Sequence, residues 1–123
     1  MNTWLAIFLG GGLGSVARYA VSRGIIASGV QGAFPWATLL ANVFASGLLA
    51  WLVLRMQGDL QGRDAVKAFL AVGFCGGFST FSTFSYENFL LYREGHVWMA
   101  ALNIGISVLA CIALFFLIAR TAS

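Results

Sequence analysis

Long apolar runs separated by short polar segments divide the chain into four stretches of similar length. These stretches run over residues 4–23, 35–54, 65–92 and 97–119. A helix needs about 20 mainly apolar residues to cross a bilayer, and each stretch is at least close to that length. The pattern predicts an all-α membrane protein, with one four-helix transmembrane domain over residues 1–123.

The third stretch contains a segment that is poorly suited to a continuous helix, GFCGGFSTFSTFS at residues 73–85. Its glycines lower helix stability, and its hydroxyl side chains compete for backbone hydrogen bonds. Inside lipid an unpaired peptide group is costly, so irregular backbone must be buried in protein or line a cavity. We therefore expect the third helix to be broken in mid-membrane, beside an ion or substrate site.

Phenylalanines and hydroxyl residues share this segment in a way that suits an anion. Phe78, Phe81 and Phe84 are three residues apart, so successive members would be neighbours on a helix. Thr80 and Thr83 follow on an adjoining face. The edge of a phenyl ring is electropositive, and the free N–H groups at the start of a helix also attract anions.

Two other spans carry polar residues at a spacing of four, which places each row on one helical face. The rows are Thr38, Asn42 and Ser46 in the second span, and Asn103, Ser107 and Cys111 in the fourth. Such a row either hydrogen-bonds a neighbouring helix, at about 1 kcal/mol per contact, or lines a pathway for an ion. The sequence leaves both alternatives open for Asn42 and for the row in the fourth span.

Small and charged residues near the ends of the spans carry further expectations. Gly10 and Gly14 form a small-xxx-small pair that lets another helix approach closely. Arg18 is either a snorkelling arginine at the interface or a cation at the mouth of an anion pathway, and the residues slightly favour the first. Glu87, near one end of the third span, either pairs with Arg18 or faces a vestibule.

The composition agrees with a membrane protein and excludes several other classes. Hydrophobic residues make up 60% of the chain and charged residues only 9%, against about a quarter charged in soluble domains. The net charge of +3 comes from scattered basic residues, so we expect no nucleic-acid partner. Cys75 and Cys111 lie in apolar spans without a Cys-x-x-Cys spacing, and no nucleophile–base pair is visible. We expect neither a thiolate metal site nor an enzyme.

Basic residues hardly distinguish the two sides of the membrane. One side would carry Arg55, Arg63, Lys67 and Arg120, and the other Arg18, Arg23 and Arg93. By the positive-inside rule, this difference in basic residues sets the orientation of the chain in the membrane. A difference of one residue hardly favours either orientation. The chain is thus able to insert both ways up, which permits antiparallel dimers. Four spans are few for a pathway within one subunit, so we expect a homo-oligomer.

Residues 73–85 closely resemble the third-span signature of the Fluc/CrcB family of fluoride ion channels. Gly10 to Arg18, Asn42 and the four spans agree as well, so the resemblance covers essentially the whole chain. It implies a fluoride-selective channel that passively exports cytoplasmic fluoride across the plasma (inner) membrane of a bacterium. It also implies an antiparallel, dual-topology homodimer in membrane lipid, with two pores.

The resemblance further implies roles for individual residues. A structural sodium ion at the centre of the dimer would be held by the backbone carbonyls of Gly76 and Ser79. The pore would be lined by Phe81, Phe84, Asn42, Asn103 and Ser107, with Arg18 in the vestibule. From their positions in the third span we add Thr83 to the pore and Glu87 to the vestibule. Cys111 and Phe115 stand where some family members have hydroxyls.

Two other functions are compatible with four short spans. A small dual-topology, proton-coupled exporter of the multidrug type would look to an intramembrane carboxylate, whereas the acidic residues of this chain fall in loops or at span ends. A non-transporting membrane assembly protein would use the glycines for packing, but gives no reason for the phenyl and hydroxyl stripe. Because no ATP-binding motif is visible, passive conduction is favoured over pumping.

Overall fold

The computed structural model describes residues 2–29, 32 and 34–122, and the backbone alone of Gln57 and Ala122. Every regular element in this part of the chain is helical. The three longest helices are α1 (Thr3–Ala27), α2 (Trp36–Leu54) and α7 (Val97–Ala122). These helices and the stretch Asp64–Arg93 supply four spans long and apolar enough to cross a membrane. The predicted all-α architecture with four spans is confirmed.

Several consecutive elements lie between α2 and α7. They are α3 (Gln57–Leu60), α4 (Asp64–Lys67), a π-helix (Ala68–Cys75), α5 (Gly76–Phe78) and α6 (Phe81–Arg93). The helical backbone runs without a break over residues 64–78. π-Helices are rare in proteins, but those that occur are frequently found at functional sites. Ser79, with a ψ of 156°, and Thr80, with a φ of −154°, are extended and separate α5 from α6.

The backbones of α1 and of the segment 64–78 are in direct contact. A Cβ atom on Gly10 would overlap the carbonyl oxygen of Phe69, and one on Gly14 would overlap the carbonyl oxygen of Phe74. From the opposite side, a Cβ atom on Gly77 would overlap backbone atoms of α1. Only glycine permits this separation, so Gly10 and Gly14 make the close helix approach that their spacing predicts.

A small core forms where α1, α2 and α5 meet. Ala41 and Ala45 of α2 are buried against Phe78, the last residue of α5. The Phe78 ring stacks on Phe74 at 5.7 Å between centroids and meets Phe44 edge-on at 5.4 Å. The expectation that Phe78 continues the series of the two later phenylalanines is wrong, because the helix stops at Phe78 and a new one begins three residues later.

Candidate functional site

The polar face of α2 meets the extended residues between α5 and α6. The side-chain carbonyl oxygen of Asn42 accepts a hydrogen bond from the backbone N–H of Thr80, at 2.9 Å. The Thr80 hydroxyl oxygen in turn accepts from the backbone N–H of Thr83, at 3.2 Å, and so caps the start of α6. These side chains supply the partners that backbone outside a helix needs in an apolar environment.

The carbonyl groups at the end of α5 lose their helical donors, and those of Gly76 and of the following Ser79 are among them. In an α-helix, each N–H bonds the carbonyl four residues earlier. The N–H of Thr80 would bond the Gly76 carbonyl, but it donates to Asn42. The N–H of Thr83 would bond the Ser79 carbonyl, but it donates to the Thr80 hydroxyl. The carbonyls of Gly76 and Ser79, those predicted to bind sodium, are therefore released, and unwound carbonyls of this kind suit that ion.

A cavity of about 250 Å³ lies beside the extended residues. It is lined by Asn42, Ser46, Ser79, Thr80, Phe81, Phe84, Ser107, Val108 and Cys111. Of the residues predicted to line a pore, it brings together Asn42, Phe81, Phe84 and Ser107. Amide and hydroxyl groups from three spans thus face the same space as two phenyl rings, which is a combination that can replace the water around a small anion.

The two phenylalanines of the cavity differ sharply in exposure. Their ring centroids are 5.7 Å apart, and the ring planes are tilted by 41°. Phe84 is 7% exposed, whereas Phe81 is 78% exposed in the single chain. Phe84 therefore forms a packed wall of the cavity, while the Phe81 ring borders a side that a single chain leaves uncovered.

The polar row of α7 is divided between packing and the cavity. The Ser107 hydroxyl donates to Asn103 Oδ1 at 3.1 Å, and Asn103 Nδ2 donates to Asn88 Oδ1, on α6, at 2.8 Å. Ser107 and Cys111 line the cavity, whereas Asn103 lies behind Ser107 and is not among the lining residues. The helix-bonding alternative is therefore confirmed for Asn103, whereas passage of an ion along Ser107 and Cys111 stays a prediction.

Two further residues predicted for the site lie outside this cavity. Gly76 lines a second, smaller cavity of about 140 Å³, together with Ser79, Ser46 and Cys75. Thr83 contributes its backbone N–H to the cap of α6. Ser79 and Ser46 border both cavities, so the two spaces adjoin along α2 and the end of α5.

Arg18 and Glu87 have separate surroundings. Arg18 Nε donates to the carbonyl of Gly77 at 3.3 Å, which places a cation at the C-terminal end of α5, where the helix dipole favours it. The side chain of Glu87 lies next to Thr38, and its Oε1 is buried without a hydrogen-bond partner among the described residues. Among the described residues Glu87 and Arg18 do not form an ion pair, and the place of Glu87 in a vestibule stays a prediction.

A family model described as CrcB-like protein, Camphor Resistance (CrcB), matches residues 5–119. The chain belongs to the CrcB family. The resemblance carried by residues 73–85 is thereby confirmed, and with four apolar spans this member of the CrcB family is a multi-pass membrane protein.

Relatives of this CrcB chain carry the name fluoride-specific ion channel FluC. The protein of Pyrococcus furiosus is 50% identical over 111 residues, which are 90% of this chain and 88% of the relative. That of Pyrococcus abyssi is 45% identical over 117 residues, 95% and 93% of the two chains. That of Geobacter sulfurreducens is 40% identical over 112 residues, 91% and 90% of the two chains. The likeness therefore extends along nearly the whole of each protein.

Three polar residues at the site of this CrcB chain had no predicted site role. Ser46 and Thr80 line the cavity, and both belong to polar series visible in the sequence. Asn88 is buried and bonded to Asn103. Its signal was an amide within an apolar span, but it stands outside any row of period four, so the sequence did not connect it with the fourth span.

Proposed function

We propose that this chain forms a fluoride-selective ion channel that passively exports cytoplasmic fluoride across the plasma (inner) membrane of a bacterial cell. The observation that carries the proposal is the likeness, along at least 90% of this chain, to proteins named fluoride-specific ion channel. The geometry supports it, since the cavity joins phenyl rings, an amide and hydroxyls beside the interrupted helix. Conduction forms and breaks no covalent bond, so the function is not enzymatic.

The surroundings of Asn42 favour an anion over a cation. Because Oδ1 of Asn42 is occupied by the Thr80 N–H, the amide orientation is set and its Nδ2 donors remain for an ion. The ring edges of Phe81 and Phe84 add electropositive hydrogen atoms to the same space. Together these groups replace part of the ion's water shell, with binding firm enough for entry and weak enough for exit.

We further propose an antiparallel, dual-topology homodimer with two pores and a central structural sodium ion. The exposed Phe81 ring supports a second copy, because its uncovered side is where another chain would complete the wall. The carbonyls of Gly76 and Ser79, deprived of their helical donors, support the sodium ion. When bound, the ion would contribute fixed positive charge near the pores.

Purified protein in potassium-loaded liposomes is expected to release fluoride down its gradient and to leave chloride inside, once valinomycin lets potassium carry the compensating charge. A fluoride electrode and a chloride electrode measure the two rates, with protein-free liposomes as the control. No pH gradient is applied, and a pH-sensitive dye inside the liposomes would reveal a proton-coupled exporter, because such an exporter moves protons together with fluoride. Fluoride release at the protein-free rate contradicts channel function, and equal release of both ions contradicts selectivity.

Dual topology predicts that one loop is reached from both sides of the membrane. His96 is exposed in the turn between α6 and α7, and the near balance of basic residues predicts that about half of the chains insert each way up. The variant His96→Cys, made with Cys75→Ala and Cys111→Ala, is treated with a membrane-impermeant maleimide. We expect about half to be labelled in intact cells and the rest after permeabilisation. Complete labelling, or none, in intact cells would exclude dual topology.

A further inference from the structure

A chain of three buried polar side chains runs from α6 to the wall of the larger cavity. Asn88 is 9% exposed, Asn103 1% and Ser107 5%. The links are short, 2.8 Å from Asn103 Nδ2 to Asn88 Oδ1 and 3.1 Å from Ser107 Oγ to Asn103 Oδ1. Only Ser107 among the three borders the cavity. A satisfied buried chain of this kind holds each member in a defined orientation.

The donor-to-acceptor direction of these hydrogen bonds decides whether Ser107 presents a proton or a lone pair to the cavity. A hydroxyl has a single proton, and here that proton is donated to Asn103 Oδ1. Asn103 Oδ1 faces Ser107 because Asn103 Nδ2 is bonded to Asn88. Each amide carries a donor and an acceptor at equivalent positions, so rotating both amides reverses every bond. Asn103 then donates to Ser107, and the Ser107 proton becomes free for an anion.

We propose that Asn88 is a positioning residue for anion passage, which acts through Asn103 on the hydroxyl of Ser107. The proposal rests on the proposed function, since the direction of the Ser107 proton matters only where an anion passes. Asn88 provides a partner for the Asn103 amide in both directions of the chain. Without Asn88, Ser107 is the remaining hydrogen-bond partner of the Asn103 amide among the described residues. Because a buried amide without partners is costly, Asn103 would then keep its bond to Ser107. An anion then has to compete with Asn103 for Ser107.

The test is the unitary fluoride current in planar bilayers. Asn88→Leu, which keeps the branched shape and the number of heavy atoms, is expected to lower this current by about fivefold, the rate equivalent of one neutral hydrogen bond. Ser107→Ala is expected to lower it comparably. In the double variant the current should be no lower than with Ser107→Ala alone, because one residue acts through the other. The unitary current is informative because poor folding reduces the number of channels and not the current through each.

Asn88→Ala is the second variant, for use if leucine at this position prevents assembly, and it should follow the same pattern. An unchanged unitary current with fewer active channels would make Asn88 merely structural and overturn the proposal, as would loss of assembly in both variants. Losses that multiply in the double variant would show that Asn88 does not act through Ser107. Absence of fluoride current in the wild-type protein would overturn the proposed function itself. The comparison among variants tests only the role of Asn88.

Discussion

Replacing Asn42 by leucine is expected to lower the fluoride flux by at least about 100-fold, the rate equivalent of roughly 3 kcal/mol. Leucine has no acceptor for the backbone N–H of Thr80, which Asn42 binds at 2.9 Å. Unpaired backbone in an apolar environment costs several kcal/mol, so the residues between α5 and α6 would lose their present conformation. The same substitution removes the Nδ2 donors from the cavity. The measurement is fluoride release from liposomes, with assembly checked by size-exclusion chromatography.

The variant Asn42→Asp separates these two contributions. An aspartate keeps an oxygen for the Thr80 N–H, so the protein should assemble normally, but it puts negative charge where an anion needs donors. We expect the flux to fall while the assembly persists. Trp51→Leu, at an exposed position of the same helix, is the matched control and should keep wild-type flux. Normal flux in both Asn42 variants would show that the pathway does not pass this residue.

Gly14→Ala is expected to cost about 3 kcal/mol or more of unfolding free energy, at the upper end of the usual cost of overpacking. The added Cβ would overlap the Phe74 carbonyl oxygen and lie 2.8 Å from the Phe78 nitrogen. Both are backbone atoms, so no side-chain rotation can make room. Segment 64–78 would have to move away from α1, and the released carbonyl of Gly76 would move with it.

Gly12→Ala is the control for Gly14→Ala, because it makes the same change in the same helix. A Cβ at Gly12 meets nothing within 4 Å, and alanine favours the helix over glycine by about 1 kcal/mol. Its melting temperature, followed by the loss of the size-exclusion peak after heating in detergent, should be equal to or above that of the wild type. If the two variants melt alike, the contact between the α1 and 64–78 backbones is not the source of stability.

The sequence predicted which residues belong to the candidate site better than it predicted which partners those residues contact. The period of four in the second and fourth spans identified the polar faces that carry Asn42 and Ser107, because helical geometry alone places such residues together. It did not distinguish a residue that lines a cavity from one that binds a neighbouring helix. Asn103 and Ser107 belong to the same row, yet one faces Asn88 and the other faces the cavity.

The sequence by itself determined that this is an all-helical membrane protein with four spans, and residues 73–85 determined its family. Local composition suffices for this, because backbone in lipid must satisfy its own hydrogen bonds and a helix does so within one segment. Only the tertiary structure decided that Asn42 binds Thr80, that Arg18 binds the Gly77 carbonyl, and that Phe78 packs in the core. In the sequence, Asn42 and Thr80 are separated by 38 positions, and Arg18 and Gly77 by 59 positions. They depend on how each helix is rotated and how closely its neighbours approach, which no single segment encodes.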